Sequence, residues 1–167
     1  MMLNKKNNII LIIIFFVISL SIISALIIEY VLNHKPCSLC LYERIPYFLS
    51  ALLIIKIFFF KKYEKITLLI LFIIFTISTL LAFYHFGIEQ GFFNESFVCN
   101  VESQLTILSK ENLLKELNKN IVSCKDVTFR ILGLSLAAIN TILSVVLSII
   151  FLKLFFNYGS SSTSQYK

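Results

Sequence analysis

An all-α membrane protein, a four-transmembrane-helix bundle with a periplasmic loop carrying a short amphipathic helix, is the fold class the sequence predicts. Four apolar runs approach or exceed the length of about 20 helical residues that crosses a hydrocarbon core. They make 58% of the 167 residues hydrophobic, with a mean hydropathy of +0.89. Only 14% of residues are charged, and they cluster between the runs. The net charge of +6 is not accompanied by a basic stripe with aromatic reading residues, so no nucleic acid partner is expected. Neither a glycine-rich phosphate loop nor metal-spaced histidines occur, so nucleotide chemistry has no visible site.

The spans are placed at about 9–30, 43–60, 66–85 and 129–156, in a single domain covering 1–167, with outer loops at about 31–42 and 86–128. The first run is too long for a signal-peptide core, and Glu29 and Tyr30 follow it without a small-x-small cleavage site. It is therefore expected to stay as a span. The second is short unless its helix begins near Cys37, with Pro36 as a first-turn residue. Pro46 lacks an N–H and is expected to kink that helix. Lys5, Lys6, Lys61, Lys62, Lys65 and Lys153 flank the runs on one side, where the positive-inside rule places both termini and the connection between spans two and three. The lysines of the longer loop are interspersed with Glu102, Glu111, Glu116 and Asp126 and weigh less. Within that loop Leu105, Leu108, Leu113, Leu114, Leu117 and Ile121 recur near helical spacing, predicting an amphipathic helix on the membrane surface or on the bundle end.

This orientation puts all four cysteines on the outer, oxidising side, where disulfides persist. Cys37 and Cys40 form a Cys-x-x-Cys pair at the mouth of span two, and Arg44 continues the same helical face. Helix N-terminal N–H groups and a guanidinium both favour an anion, so a reactive Cys40 thiolate is expected. An arginine at a membrane boundary is costly to hold, which is a functional hint for Arg44; an anchor snorkelling to headgroups is the alternative reading. Cys99 and Cys124 lie in the polar loop, too far apart in sequence to be the second knuckle of a zinc site, so no metal is expected. At this level structural and redox-active disulfides both remain open. A Cys-x-x-Cys ring is small and strained, which suits exchange. His85, beside Tyr84 at the outer end of span three, is a candidate proton partner for a ring-shaped acceptor, because histidine as a residue type titrates near neutral pH. Glu89, one turn on, and Glu29, ending span one, are weaker candidates of the same kind.

The string Pro36-Cys37-Ser38-Leu39-Cys40-Leu41-Tyr42-Glu43-Arg44 resembles the DsbB family of membrane thiol:quinone oxidoreductases. The likeness begins at Glu29-Tyr30 and continues at Tyr84-His85-Phe86-Gly87-Ile88-Glu89, Cys99 and Cys124. It ends at Leu132-Gly133-Leu134-Ser135-Leu136-Ala137 through Asn140. It spans nearly the whole chain, though the chain lacks the tryptophans of common members. What the resemblance implies is an electron relay in a bacterial inner membrane. Cys99 and Cys124 would form the disulfide that reoxidises a periplasmic DsbA-like thioredoxin-fold protein, with Cys99 presented to water and taking the mixed disulfide. Electrons would pass to Cys37–Cys40, and Cys40 would meet a quinone, ubiquinone or menaquinone, with Arg44, His85, Glu29 and Glu89 about the quinone site. So oxidising a donor cannot be served by a glutathione-like acceptor, whereas a quinone dissolved in the lipid bilayer suffices. A vitamin K epoxide reductase-like protein would carry its Cys-x-x-Cys late in the bundle. A non-catalytic scaffold would carry two disulfides that resist mild reduction.

Tags on either terminus are expected in the cytoplasm, and single-cysteine variants retaining Cys37, Cys40, Cys99 or Cys124 are expected to label from outside. Labelling of Cys99 only from the cytoplasm would reverse this orientation.

Overall fold

The computed structural model describes residues 5–60, 63–94, 99, 124–125, 130–131 and 133–163. Four long helices dominate it: α1 (Lys5–Tyr30), α2 (Ser38–Phe59), α3 (Glu64–Glu89) and α4 (Leu136–Thr163). Each contains a stretch long and apolar enough to cross a membrane, so the chain is a four-span, multi-pass membrane bundle. Before α4 lies a small antiparallel pair, β1 (Arg130–Ile131) and β2 (Leu134–Ser135), in register Arg130↔Ser135 and Ile131↔Leu134. The loop helix expected over 105–121, and Lys61 and Lys62, lie outside the described residues.

The helix ends differ from expectation for local reasons. α2 starts at Ser38 with Cys37 as its N-cap, so Pro36 stands outside the helix rather than in its first turn, and the helix continues past Pro46. α3 runs a full turn beyond residue 85 and ends in a Schellman motif. There Phe92 N–H donates to the Gly87 carbonyl at 2.8 Å and Gly91 N–H to the Ile88 carbonyl at 3.0 Å. Gly91 takes the left-handed conformation (φ 79°) that this turn needs. The chain then folds back so that Phe93 lies over Gly87, where any Cβ would collide with its ring. α4 begins later than the expected residue 129, because Gly133 (φ 85°) turns the short hairpin. Ser135 then caps the helix, its Oγ accepting from Ala138 N–H at 3.2 Å.

The bundle core uses one stripe of each helix. Leu11, Ile14 and Ile18 of α1 meet Tyr47, Ile54 and Ile57 of α2, Leu68, Leu71 and Phe75 of α3, and Leu147, Phe151 and Leu154 of α4. These sets recur at helical spacings of three, four and seven, which keeps each on one face. Phe75 stacks on Phe151 with ring centroids 5.5 Å apart and meets the Tyr47 ring edge-on at 5.6 Å. α3 and α4 share the largest interface. Large apolar side chains such as Phe16 and Leu80 point outward, as a lipid-facing surface requires. In lipid there is no hydrophobic gain in joining two apolar helices, so packing and hydrogen bonds must hold them. Thr76 and Ser148 (3.1 Å) and Ser78 and Ser144 (3.3 Å) share such bonds across α3 and α4.

Phe75→Ala removes a fully buried ring from both aromatic contacts and is expected to cost about 3–5 kcal/mol. Phe16→Ala, on the exposed face, should cost far less. Denaturation of the purified protein in mixed micelles measures both, and equal losses would place the core elsewhere.

Candidate active site

The end of the bundle that gathers the C-termini of α1 and α3 and the N-termini of α2 and α4 holds the reactive groups. As N-cap of α2, Cys37 has an extended backbone (φ −71°, ψ 169°), and its sulfur accepts the Cys40 N–H at 3.3 Å. A sulfur therefore does here what a serine or aspartate oxygen usually does. Cys37 Sγ and Cys40 Sγ share a hydrogen bond at 2.9 Å, and His85 Nε2 lies 3.4 Å from the Cys37 sulfur. Cys37 and Cys40 are free thiols, whereas Cys99 and Cys124 are joined in a disulfide.

Behind His85 the polar chain continues. Its Nδ1 is 2.7 Å from Glu43 Oε1, and the other Glu43 oxygen accepts Asn140 Nδ2–H at 2.7 Å. Tyr47 O–H donates to Asn140 Oδ1 and sits 3.2 Å from Ser144 Oγ. Glu89 Oε1 approaches His85 Nε2 to 3.9 Å. Arg44 is held differently, in an ion pair with Glu29 of α1.

Beside this network is a cavity of about 340 Å³ between α1, α2 and α4. Its walls are mainly apolar (Leu20, Ala25, Ile28, Leu136, Leu143), and Cys40, Glu43, Arg44, Tyr47 and Asn140 bring polar groups to it. Cys37 is not in the lining. It packs instead with Leu39, Ile88 and the Cys99–Cys124 disulfide in a second buried cluster. Cys40 also touches that cluster, but of the two cysteines it alone opens on the cavity.

Several expectations change here. Cys99 is only 1% exposed, not presented to water, because its disulfide is packed against the bundle end. Arg44 shares the cavity with Cys40 but spends its charge on Glu29. The helix N-terminal N–H goes to Cys37, since the N-cap position belongs to that residue. The Cys37 thiol is lowered to about 4, first by the hydrogen bond from Cys40 and then by the bond and charge of His85, against the opposing effect of burial. His85 is buried between Cys37 and Glu43, outside the cavity lining, and Glu89 stands on the same side. Glu29 reaches the cavity through Arg44. Sequence reading passed over Glu43, Tyr47 and Asn140. Glu43 stood inside the motif string, and a signal was available in its being an acid one turn into a span.

The model of one family, disulfide bond formation protein DsbB, matches residues 7–154. The chain belongs to the DsbB family. A protein of Rickettsia prowazekii (strain Madrid E), described only as uncharacterized, is 31% identical over 151 residues, covering 87% of each chain. No solved structure matches. As a DsbB-family oxidoreductase, the chain performs thiol–disulfide redox chemistry. The family uses a quinone as electron acceptor and DsbA-like proteins as partners.

With the thiol lowered to about 4, Cys37 of the reduced protein is a thiolate across the neutral range and takes up a proton only as pH falls through that value. Thiolate absorbance in a Cys40-containing, fully folded protein should persist from pH 8 to about 5, far below the ordinary thiol value of about 8.5. His85→Ala should move the loss of absorbance upward. A midpoint near that of a free cysteine in both proteins would remove His85 from the site.

Proposed function

We propose that this DsbB-family chain reoxidises a periplasmic DsbA-like dithiol protein and passes the electrons to ubiquinone or menaquinone in a bacterial inner membrane. That activity would sustain disulfide formation in exported proteins. The observation that carries this reading is the split environment of the motif: Cys37 packs with the Cys99–Cys124 disulfide, and Cys40 opens on an apolar cavity within the spans. The cavity fits a quinone ring in volume and chemistry, with apolar walls and a few polar groups at one side. When bound there, a quinone supplies a two-electron, two-proton acceptor.

The residues divide the work accordingly. The donor dithiol reduces Cys99–Cys124 by exchange, with Cys99 taking the mixed disulfide and Cys124 resolving it. The new dithiol reduces Cys37–Cys40, which restores the outer disulfide and leaves the thiols at positions 37 and 40. That distribution, outer pair bonded and inner pair free, is the one described above. Cys40 then gives up the electron pair at the cavity as the Cys37–Cys40 bond reforms. Arg44, locked by Glu29, orients its guanidinium at the cavity without itself carrying protons. Cys99 is 1% exposed and packed beside Ile88 and Leu39, so exchange with the donor requires a local opening around it. The orientation with both termini in the cytoplasm belongs to the same proposal and rests on the lysine distribution.

The test uses the purified full chain in lipid nanodiscs with a reduced thioredoxin-fold donor and a short-chain quinone. Quinone reduction should require all four cysteines. Cys124→Ser should accumulate a donor adduct at Cys99, because the resolving thiol is gone. An adduct at Cys40 instead would reverse the direction of the relay.

A further inference from the structure

Oxidising Cys37 and Cys40 to a disulfide releases two electrons and two protons, and a quinone needs both pairs. Cys40 lines the cavity and has direct access for its own proton. Cys37 does not line it, so its proton needs another route. His34, Lys35, Glu43 and Tyr47 are the remaining lining groups, among the described residues, that exchange protons, together with Arg44, whose guanidinium stays charged. From Cys37 the hydrogen-bonded path runs through His85 Nε2 and Nδ1 to Glu43 Oε1, with steps of 3.4 and 2.7 Å. Glu43 is itself in the cavity wall, so the path ends where the protons are consumed.

We propose that Glu43 is the acid that delivers the Cys37 proton to the quinone in the cavity, by way of His85, with Asn140 and Tyr47 holding its carboxyl group in position. The inference rests on the quinone reading above. The balance is complete. The proton that Cys37 gives up in becoming a thiolate is held by His85, His85 Nδ1–H passes one to Glu43, and Glu43 passes it to a quinone oxygen. Cys40 supplies the second proton. The electron pair leaves the sulfurs as the Cys37–Cys40 bond forms, which leaves His85 neutral and Glu43 a carboxylate until the pair is reduced again.

The second half of the network is what makes this a directed path. The Asn140 amide donates to Glu43 Oε2, and Tyr47 O–H fixes the Asn140 carbonyl, so the amide cannot turn its acceptor toward Glu43 without losing that bond. Tyr47 is anchored in turn by Ser144, which shares a bond with Ser78. Glu43 is thereby held between His85 on α3 and Asn140 on α4, and only 7% of its surface is exposed. Asn140 and Tyr47 are positioning residues, and Glu43 is the group that meets the quinone.

The experiment is single-turnover oxidation of the pre-reduced full chain by a short-chain ubiquinone, read at the quinone absorbance. Glu43→Gln should slow the turnover by about 10²-fold, the scale of losing a general acid, and Glu43→Asp should recover part of it. Asn140→Ala and Tyr47→Phe should slow it less, at an unchanged half-saturating quinone concentration. A quinone-free readout accompanies these. The infrared difference spectrum of the protein upon reduction of Cys37–Cys40 with dithiothreitol should contain a shifted carboxylate band, from Glu43 responding to the proton on His85, that is absent in Glu43→Gln. A wild-type turnover rate in Glu43→Gln with its Cys99–Cys124 bond intact would overturn the proposal. So would persistence of that band, or its loss in His34→Ala instead. If Glu43→Gln does not fold, wild-type rates in both Asn140→Ala and Tyr47→Phe would overturn it. Failure of the wild-type protein to reduce any quinone would sink the functional reading, while the infrared band would still decide the proton path.

Discussion

The carboxylate of Glu43 joins three helices at the reactive end of the bundle: α2 carries it, and His85 of α3 and Asn140 of α4 each bond one of its oxygens at 2.7 Å. Glu43 and His85 are both buried, so neither has water to fall back on. Removing one member of such a pair leaves the other as an uncompensated polar group, commonly a loss of about 3–5 kcal/mol. The bonds also set register. A shift of α3 by one residue would take His85 away from both Glu43 and Cys37. Interhelical hydrogen bonds within membranes are individually modest, about 0.6 kcal/mol on average. What this network supplies is therefore position more than raw stability.

That position explains how adjacent turns of one helix serve two surroundings. Cys37 stands at the N-cap, where the chain has not yet entered the helix, and is turned toward α3 and the outer disulfide. Cys40 is in the first turn and faces α1 and α4 across the cavity. Their sulfurs remain 2.9 Å apart, close enough to bond with little backbone movement. The Cys-x-x-Cys spacing at a helix start thus links the two surroundings directly through sulfur, as Glu43 and His85 do through hydrogen bonds.

Away from this end the bundle follows the demands of lipid. Hydroxyl side chains return their protons to carbonyls one turn earlier, as Thr67, Thr76, Thr79 and Thr141 do. The Phe75–Phe151 stack and the Tyr47 ring then fill the space between α2, α3 and α4. Tyr47 belongs to both regions, since its ring is part of the apolar core and its hydroxyl is part of the polar network. The core and the site are in that way mechanically continuous.

Apolar run length is a one-dimensional property, so the four spans, their order and the membrane class were legible in the sequence, as were the Cys-x-x-Cys pair and Arg44. Helix starts were less so. Cys37 and Ser135 act as caps through side-chain bonds that composition does not display, and Gly133 matters through its φ angle. Which thiol receives the helix N–H, where Arg44 directs its charge, and how deeply Cys99 is packed were decided by tertiary structure alone. Each depends on a partner from another helix or loop: His85 for Cys37, Glu29 for Arg44, and the cluster around Ile88 for Cys99. Glu43 and Asn140 are separated by 97 positions in the chain and yet share one hydrogen bond. Chain order reports residue type and helical face, whereas a hydrogen bond between helices exists only once packing has set their rotation and depth.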